Sequence, residues 1–386
     1  MDQQSSFPRY YIKSRSTLTA GRYGIIVGVK KLTDISWEDY SRLALEEKRP
    51  YLERTEGDGL PYHTLNAQQF DRKVLERLCA LANRIRFINK SREGALYLKS
   101  VLAHKRAMLY FSQPSSRTFL SHLAACQILG VTTGSVRDAA TSSEFKGESH
   151  EDSIRTFSSY FDMIIMRSPE QGLAEKMAWE LSNSSRPIPI LNAGSGKDQH
   201  PTQALLDIYT LMRSFETQGG IDDKTVTFCG DLLRGRTVRS LSYLLTNFRN
   251  VKQIFVAPKE LQVPEDVTAI LKTKGVAFEI HDDLKAATKV SDAVYMTRIQ
   301  DEWDRSKGES AKIDNSRFKF GAEHLALLRE GGALLHPLPR RDEIATACDH
   351  DPKAMYWRQM RNGMWIRAAL IAATFGYEQP IMSCGY

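Results

Sequence analysis

The sequence predicts an α/β protein of two similar-sized parallel-sheet domains, with a site in the cleft between them. Short apolar runs alternate with amphipathic segments, and they do so in two successive series. At roughly 100–200 residues per domain, a chain of 386 residues has room for two domains and an appendage. No apolar run approaches the ~18 residues a membrane helix needs.

Residues 1–60 stand apart. Only Asp2 is acidic before Asp34, and the stretch 46–59 is dense in charge. Asp58-Gly59 before Pro61 is a turn signal. We read 1–60 as an extension, part ordered and part linker. Its acid-poor, Ser- and Arg-containing start also resembles an organelle transit segment. The N-terminus lacks the apolar core of a secretion signal, so a cytoplasmic location is expected with organelle import left open.

From Leu65 the first series begins. Phe70, Val74, Leu78, Leu81 and Ile85 share one face of a helix over 67–89. Strands follow at 107–111, 131–136, 163–166 and 188–191, with helices at 118–128, 151–161 and 170–181 between them. The second series places strands at 226–229, 254–257, 278–281, 293–296 and 333–335, and helices at 238–247, 264–273 and 322–329. A last helix over 354–375 is long enough to cross back onto the first domain. The expected division is therefore 1–60, 61–200, 201–350 and 351–386. Sites in such folds lie beyond the carboxyl ends of the strands.

Composition excludes more than it selects. Fifty-three Lys and Arg against 46 Asp and Glu give a net charge of +7, mild for this length and without like-charge blocks. Nucleic-acid binding is not expected. The five cysteines, Cys79, Cys126, Cys229, Cys348 and Cys384, form no C-x-x-C pair, and the histidines show no H-x-x-x-H spacing. Free thiols and no metal are expected.

Six segments carry chemistry. Gln113-Pro114-Ser115-Ser116-Arg117-Thr118 sets hydroxyls and a guanidinium at a strand-to-helix turn, which suits a phosphate dianion; a plain capped helix start is its simpler reading. His200-Pro201-Thr202-Gln203 opens a helix with an imidazole able to polarise a carbonyl, or merely to cap. The loop from Gly230 to Thr237 nearly matches the phosphate loop G-x-x-x-x-G-K-[ST], but Arg236 replaces the lysine. A guanidinium fork fits a carboxylate better. Arg298 and Gln300, two apart at a strand end, point the same way. The prolines of His336-Pro337-Leu338-Pro339 leave carbonyls free for a ligand. Residues 142–148 read as a polar loop. Together, the arginines and hydroxyls suggest transfer between two anionic small molecules without a cofactor.

These segments, in this order, resemble the aspartate/ornithine carbamoyltransferase family, and the aspartate-specific members in particular. The resemblance runs from His63 to Ile371, about four-fifths of the chain. It rests on S-x-R-T, K-G-E, H-P-T-Q-A-L-L-D, G-D-x-x-x-G-R-T, Y-M-T-R-x-Q, H-P-L-P-R-x-D-E-I and N-G-M. Ornithine-specific members carry H-C-L-P where this chain has His336-Pro337-Leu338-Pro339. The resemblance implies that 61–200 binds carbamoyl phosphate and 201–350 binds aspartate. It assigns Ser115, Ser116, Arg117 and Thr118 to the phosphate, and Arg167 and His200 to the carbonyl oxygen. Gln203 and the Pro337 and Leu338 carbonyls would hold the carbamoyl nitrogen and incoming amine. Arg236, Arg298 and Gln300 would hold the aspartate carboxylates. Ser142 and Lys146 would come from a neighbouring subunit, making a homotrimer with shared sites, with no metal or cofactor.

Four positions depart from the family pattern. Gln113 stands where Glu is usual and Trp303 where Arg is usual, so a carboxylate–arginine pair linking the domains is missing. Phe119 replaces a frequent Arg, and Phe145 precedes Lys146. Two other readings stay open here: a carbamoyltransferase for another amino acid, and a non-catalytic relative.

Overall fold

The computed structural model describes residues 30–55, 58–137, 147–196, 199–304, 306, 308 and 310–386. Two parallel sheets organise it. The first contains β1 (Arg106–Phe111), β2 (Thr132–Val136), β3 (Met163–Ser168) and β4 (Ile190–Ser195), in the order β2-β1-β3-β4. The second contains β5 (Thr225–Cys229), β6 (Lys252–Val256), β7 (Phe278–His281), β8 (Ala293–Met296) and β9 (Ala333–Leu335), in the order β7-β6-β5-β8-β9. All ladders within these sheets are parallel. Strand order reverses between β1 and β3 and between β5 and β8. Loops on either side of such a reversal part and leave a crevice at the carboxyl ends.

The nine expected strands are all present; their ends move by a few residues. β4 runs on to Ser195, which pairs with Ser168 of β3 past a register shift and bridges Gln199, while Thr64 bridges Leu191 nearer the strand's start. The expected 67–89 helix is divided. Asn66 and Gln69 cap a short turn, and Asp71 caps the helix Arg72–Ile88 by accepting from Val74 N at 2.8 Å. An aspartate cap serves the unpaired N–H groups of a helix start better than it serves a helix interior. Helices at Arg92–Val101 and Leu284–Val290 were not expected.

The helix Tyr356–Thr374 packs against Arg72–Ile88, Ser116–Ile128 and Pro201–Ser214. Its run Ala368-Ala369-Leu370-Ile371-Ala372-Ala373 is fully buried. Small residues on nearly every side allow three helices to approach it at once.

The described part of the extension is packed rather than linker-like. Leu32, Tyr40 and Leu52 join Met108, Tyr110, Ile164, Met166 and Ile190 in one apolar cluster. Each such burial contributes about 1.5–3 kcal/mol. Lys48, from the charged stretch, is itself buried, with Nζ 2.9 Å from Glu175 and 5.1 Å from the Tyr40 ring centre. Four of the five cysteines are buried as free thiols, and Cys384 is half-buried. Among the described residues, no group of three His, Cys, Asp or Glu is arranged to hold a metal, and no helix is long and apolar enough to cross a membrane.

Candidate active site

A cavity of roughly 690 Å³ lies where the carboxyl ends of the two sheets face one another. The segment after β1 brings Gln113, Ser115, Arg117 and Thr118 to its wall, and β3 brings Arg167. His200 and Gln203 come from the start of the Pro201–Ser214 helix. From the second sheet, the β5 segment supplies Arg236, the β8 segment Arg298 and Gln300, and the β9 segment Pro337 and Leu338.

Eleven of the fourteen expected site residues therefore line one cavity. Ser116 does not; it is the exposed first residue of the Ser116–Ile128 helix. Ser142 and Lys146, with Phe145, lie outside the described residues.

Local geometry explains the placements. Ser115 is the N-cap residue, yet its side chain caps no backbone N–H. Its hydroxyl is left for a ligand beside a helix start that already favours anions. Arg167 is buried and donates through Nη1 to Ala193 O at 3.3 Å, while its Nε has no partner. Gly194 permits this approach. It sits at φ 118°, and a Cβ there would stand 2.8 Å from Arg167 Nη1 and 3.3 Å from His200 Cδ2. Arg236 Nη1 donates to Gly196 O at 2.6 Å, tying the second domain to the loop after β4. Leu338 holds φ 54°, a left-handed conformation few non-glycine residues adopt, and its N–H donates to His336 Nδ1 at 2.8 Å.

The electrostatics are those of an anion trap. Burial, then Arg236, Arg117 and Arg367, pushes Arg167 down to about 9. Burial and Arg298 lower Arg117. His200 is held well below its ordinary value by burial and then by Arg236, Arg167 and Arg367. Its imidazole is therefore neutral, with Nδ1 buried and unpartnered. Guanidiniums that depress one another's proton affinity gain when an anion enters.

Several lining residues were not among the expected site residues: Ser121, Met360 and Arg367, and also Thr237 and Met364, which close the motifs G-D-x-x-x-G-R-T and N-G-M without having been given a role. Arg367 is 3% exposed and pushed down to about 10 by burial. It donates to Ser121 Oγ, and its Nη2 lies 3.5 Å from Thr202 Oγ1. A lone arginine inside the apolar run 365–373 was the available signal. Phe119, at the place of a frequent arginine, is buried edge-on against Phe111 with ring centres 5.3 Å apart. It fills core and does not reach the cavity. Gln113 does line the cavity, with a buried, unpartnered Oε1.

Fold and site together define a two-domain enzyme whose cleft gathers small anionic substrates from opposite walls. Family models agree in detail. Residues 62–213 match the aspartate/ornithine carbamoyltransferase carbamoyl-P binding domain, and 222–374 match the Asp/Orn binding domain of the same family. The chain belongs to the aspartate/ornithine carbamoyltransferase family. It is 39% identical over 310 residues to aspartate carbamoyltransferase 1, chloroplastic, of Pisum sativum, covering 80% of this chain and 77% of that one. It is 38% identical to the aspartate carbamoyltransferase catalytic subunit of Vibrio cholerae, covering 80% and 95%. Among solved structures, the aspartate transcarbamoylase of Trypanosoma cruzi in complex with carbamoyl phosphate and aspartate superposes with a TM-score of 0.71 at 36% identity, covering 81% of this chain and 96% of that one.

Proposed function

We propose that this chain transfers the carbamoyl group of carbamoyl phosphate to the amino group of L-aspartate, giving N-carbamoyl-L-aspartate and phosphate for pyrimidine synthesis. One observation carries the reading: a phosphate-suited turn and a neutral histidine on one wall face paired carboxylate-suited arginines on the other.

Ser115, Arg117 and Thr118 hold the phosphate, with Ser116 contributing its helix-start backbone N–H. Gln203 and the Pro337 and Leu338 carbonyls hold the carbamoyl nitrogen and the amine. Arg236, Arg298 and Gln300 take the two carboxylates. Arginine facing the acceptor favours a carboxylate-rich amino acid over ornithine, whose ammonium it would repel. The neutral amine of aspartate attacks the carbamoyl carbon, a C–N bond forms, and the carbonyl electron pair moves to oxygen. His200 donates a hydrogen bond to that oxyanion; Arg167 and Thr118 add charge and a hydroxyl. The bond to phosphate then breaks, and the leaving phosphate takes the amine proton. Positioning two anions that otherwise repel supplies much of the acceleration. None of these steps calls for a metal or organic cofactor.

Ser142 and Lys146 are proposed to enter from a neighbouring subunit of a homotrimer. We place the protein in the cytoplasm; a fluorescent reporter fused to residues 1–60 separates that from import into an organelle. The activity is tested by assaying purified protein for carbamoyl-aspartate and phosphate, with ornithine as the control acceptor. Activity with ornithine and none with aspartate overturns the reading.

A further inference from the structure

Asp207, on the Pro201–Ser214 helix, is 0% exposed, and among the described residues no cation is hydrogen-bonded to its carboxylate. Three neutral donors meet it. Gln203 Nε2, one helical turn earlier, donates to Oδ1 at 3.0 Å, and Gln359 Nε2 donates to the same oxygen at 2.6 Å. Tyr295 OH donates to Oδ2 at 2.9 Å. Each donor leads to a different part of the cavity. Gln203 lines it directly. Tyr295 is on β8, three residues before Arg298 and five before Gln300. Gln359 accepts from His336 N at 2.9 Å through its Oε1, and so holds the first residue of the His336-Pro337-Leu338-Pro339 segment.

A fully buried carboxylate is expensive to keep, and an apolar residue of similar size would often serve stability as well or better. Its retention at a junction of three site-bearing segments needs another reason. A carboxylate can accept from three donors at fixed directions, which no apolar side chain can do. Because it accepts only, it also fixes which end of each glutamine amide faces it: the Gln203 nitrogen points to Asp207, so the Gln203 oxygen is the end left for a ligand donor.

We propose that Asp207 is a positioning residue that orients the Gln203 amide and fixes the Arg298–Gln300 and His336–Leu338 segments relative to one another before substrates bind. This rests on the proposed carbamoyl transfer, in which Gln203 and the Leu338 carbonyl address the carbamoyl side and Arg298 the acceptor. Asp207 itself is outside the cavity wall and need touch neither substrate.

Three variants test it, each assayed beside wild type for kcat, for both KM values and for thermal unfolding. Asp207→Leu removes all three tethers without leaving a buried charge. It is expected to stay folded while kcat/KM falls about 10–100-fold, the scale of a small misplacement of reacting groups. Asp207→Asn retains Oδ1 for the two glutamines and can turn its NH2 toward Tyr295, whose hydroxyl can accept instead. It is expected to remain within a few-fold of wild type. Tyr295→Phe removes a single hydroxyl, so it tests one tether even if the leucine variant fails to fold. It is expected to raise KM for aspartate about tenfold and leave carbamoyl phosphate binding unchanged. Wild-type kcat and KM values in folded Asp207→Leu, or in Tyr295→Phe when the leucine variant is unfolded, overturn the proposal. Absence of aspartate carbamoylation in wild type itself would instead sink the functional reading.

Discussion

Arg298 is held by Glu302: its Nη1 donates to Oε2 at 2.8 Å, and its Nη2 meets the other carboxylate oxygen. A bidentate carboxylate thus already occupies the guanidinium fork proposed for the acceptor. An arginine held this way is presented to the cavity in a fixed direction, and an arriving carboxylate must share or displace Glu302.

Arg298→Ala is therefore expected to weaken aspartate binding and spare carbamoyl phosphate binding. Losing a charge-assisted bidentate contact costs about 1.5–3 kcal/mol, or roughly 10–150-fold. Calorimetry with each substrate checks this. Abolished carbamoyl phosphate binding with unchanged aspartate kinetics would show that the two walls have been assigned to the wrong substrates.

Gly194→Ala tests the seat of Arg167. At φ 118° an L side chain is strained by about 1–3 kcal/mol, and its Cβ would crowd Arg167 Nη1 at 2.8 Å. Unfolding should shift to lower temperature, and kcat should fall roughly 100-fold as Arg167 moves from its proposed place at the carbonyl oxygen. Wild-type kcat in the folded variant would mean that Arg167 does not depend on this glycine for its place.

The sequence made the strands and the strand-end loops legible because both leave local marks. A β-rich apolar run and a Ser-Ser-Arg-Thr or His-Pro turn are written within ten residues of one another. Arg298 and Gln300 could be found for the same reason. The roles of Asp207 and Arg367 were not legible, because each sits on a helix whose periodicity reads as ordinary core and each reaches partners far away in sequence, Gln359 152 residues from Asp207 and Ser121 246 residues from Arg367. Which part of the extension packs was not legible, because Lys48 reads as a solvated charge until Glu175 and Tyr40 are brought beside it. The divided first helix hinged on Asp71, whose capping role competes with a continuous apolar stripe.

His63 should give the fold a marked acid sensitivity. Its Nδ1 accepts from Ile190 N at 3.1 Å and its Nε2 lies 3.0 Å from Ser182 Oγ, so the buried ring is neutral and burial pushes it down to about 3. The unfolded chain binds the proton near 6.5 and the folded chain does not, so between about 6.5 and 3 the unfolded state holds more protons. Stability from this group is complete above that window and is lost as pH falls through it, by up to about 1.4 kcal/mol per pH unit. Asp207, pushed up to about 7 by burial, works in the opposite sense: stability falls as pH rises from the ordinary carboxylate range toward 7. The two separate by variant. The difference in urea-unfolding free energy between wild type and His63→Asn should grow with pH inside the first window, whereas the gain from Asp207→Asn should grow as pH rises toward 7. A pH-independent difference for His63→Asn would show that the ring is not held neutral.

The shared-site trimer can be tested by mixing two inactive variants. The family resemblance puts Lys146 on the chain that donates to a neighbouring site, and Arg298 on the chain that owns the site. At aspartate well below the wild-type KM, Lys146→Ala and Arg298→Ala should each be nearly inactive alone. In a cyclic trimer each site draws on two adjacent chains. After dissociation and random reassociation in equal amounts, a site is complete when its own chain carries Arg298 and its donor carries Lys146. Each chance is about one half, so roughly a quarter of wild-type activity should return. Counting by rings agrees: a mixed ring of either composition has one complete site, and a pure ring has none. Subunit exchange is followed independently with differently tagged chains. If the chains exchange and activity stays at the level of the separate variants, Lys146 and Arg298 serve the same chain's site, and the proposal of shared sites falls.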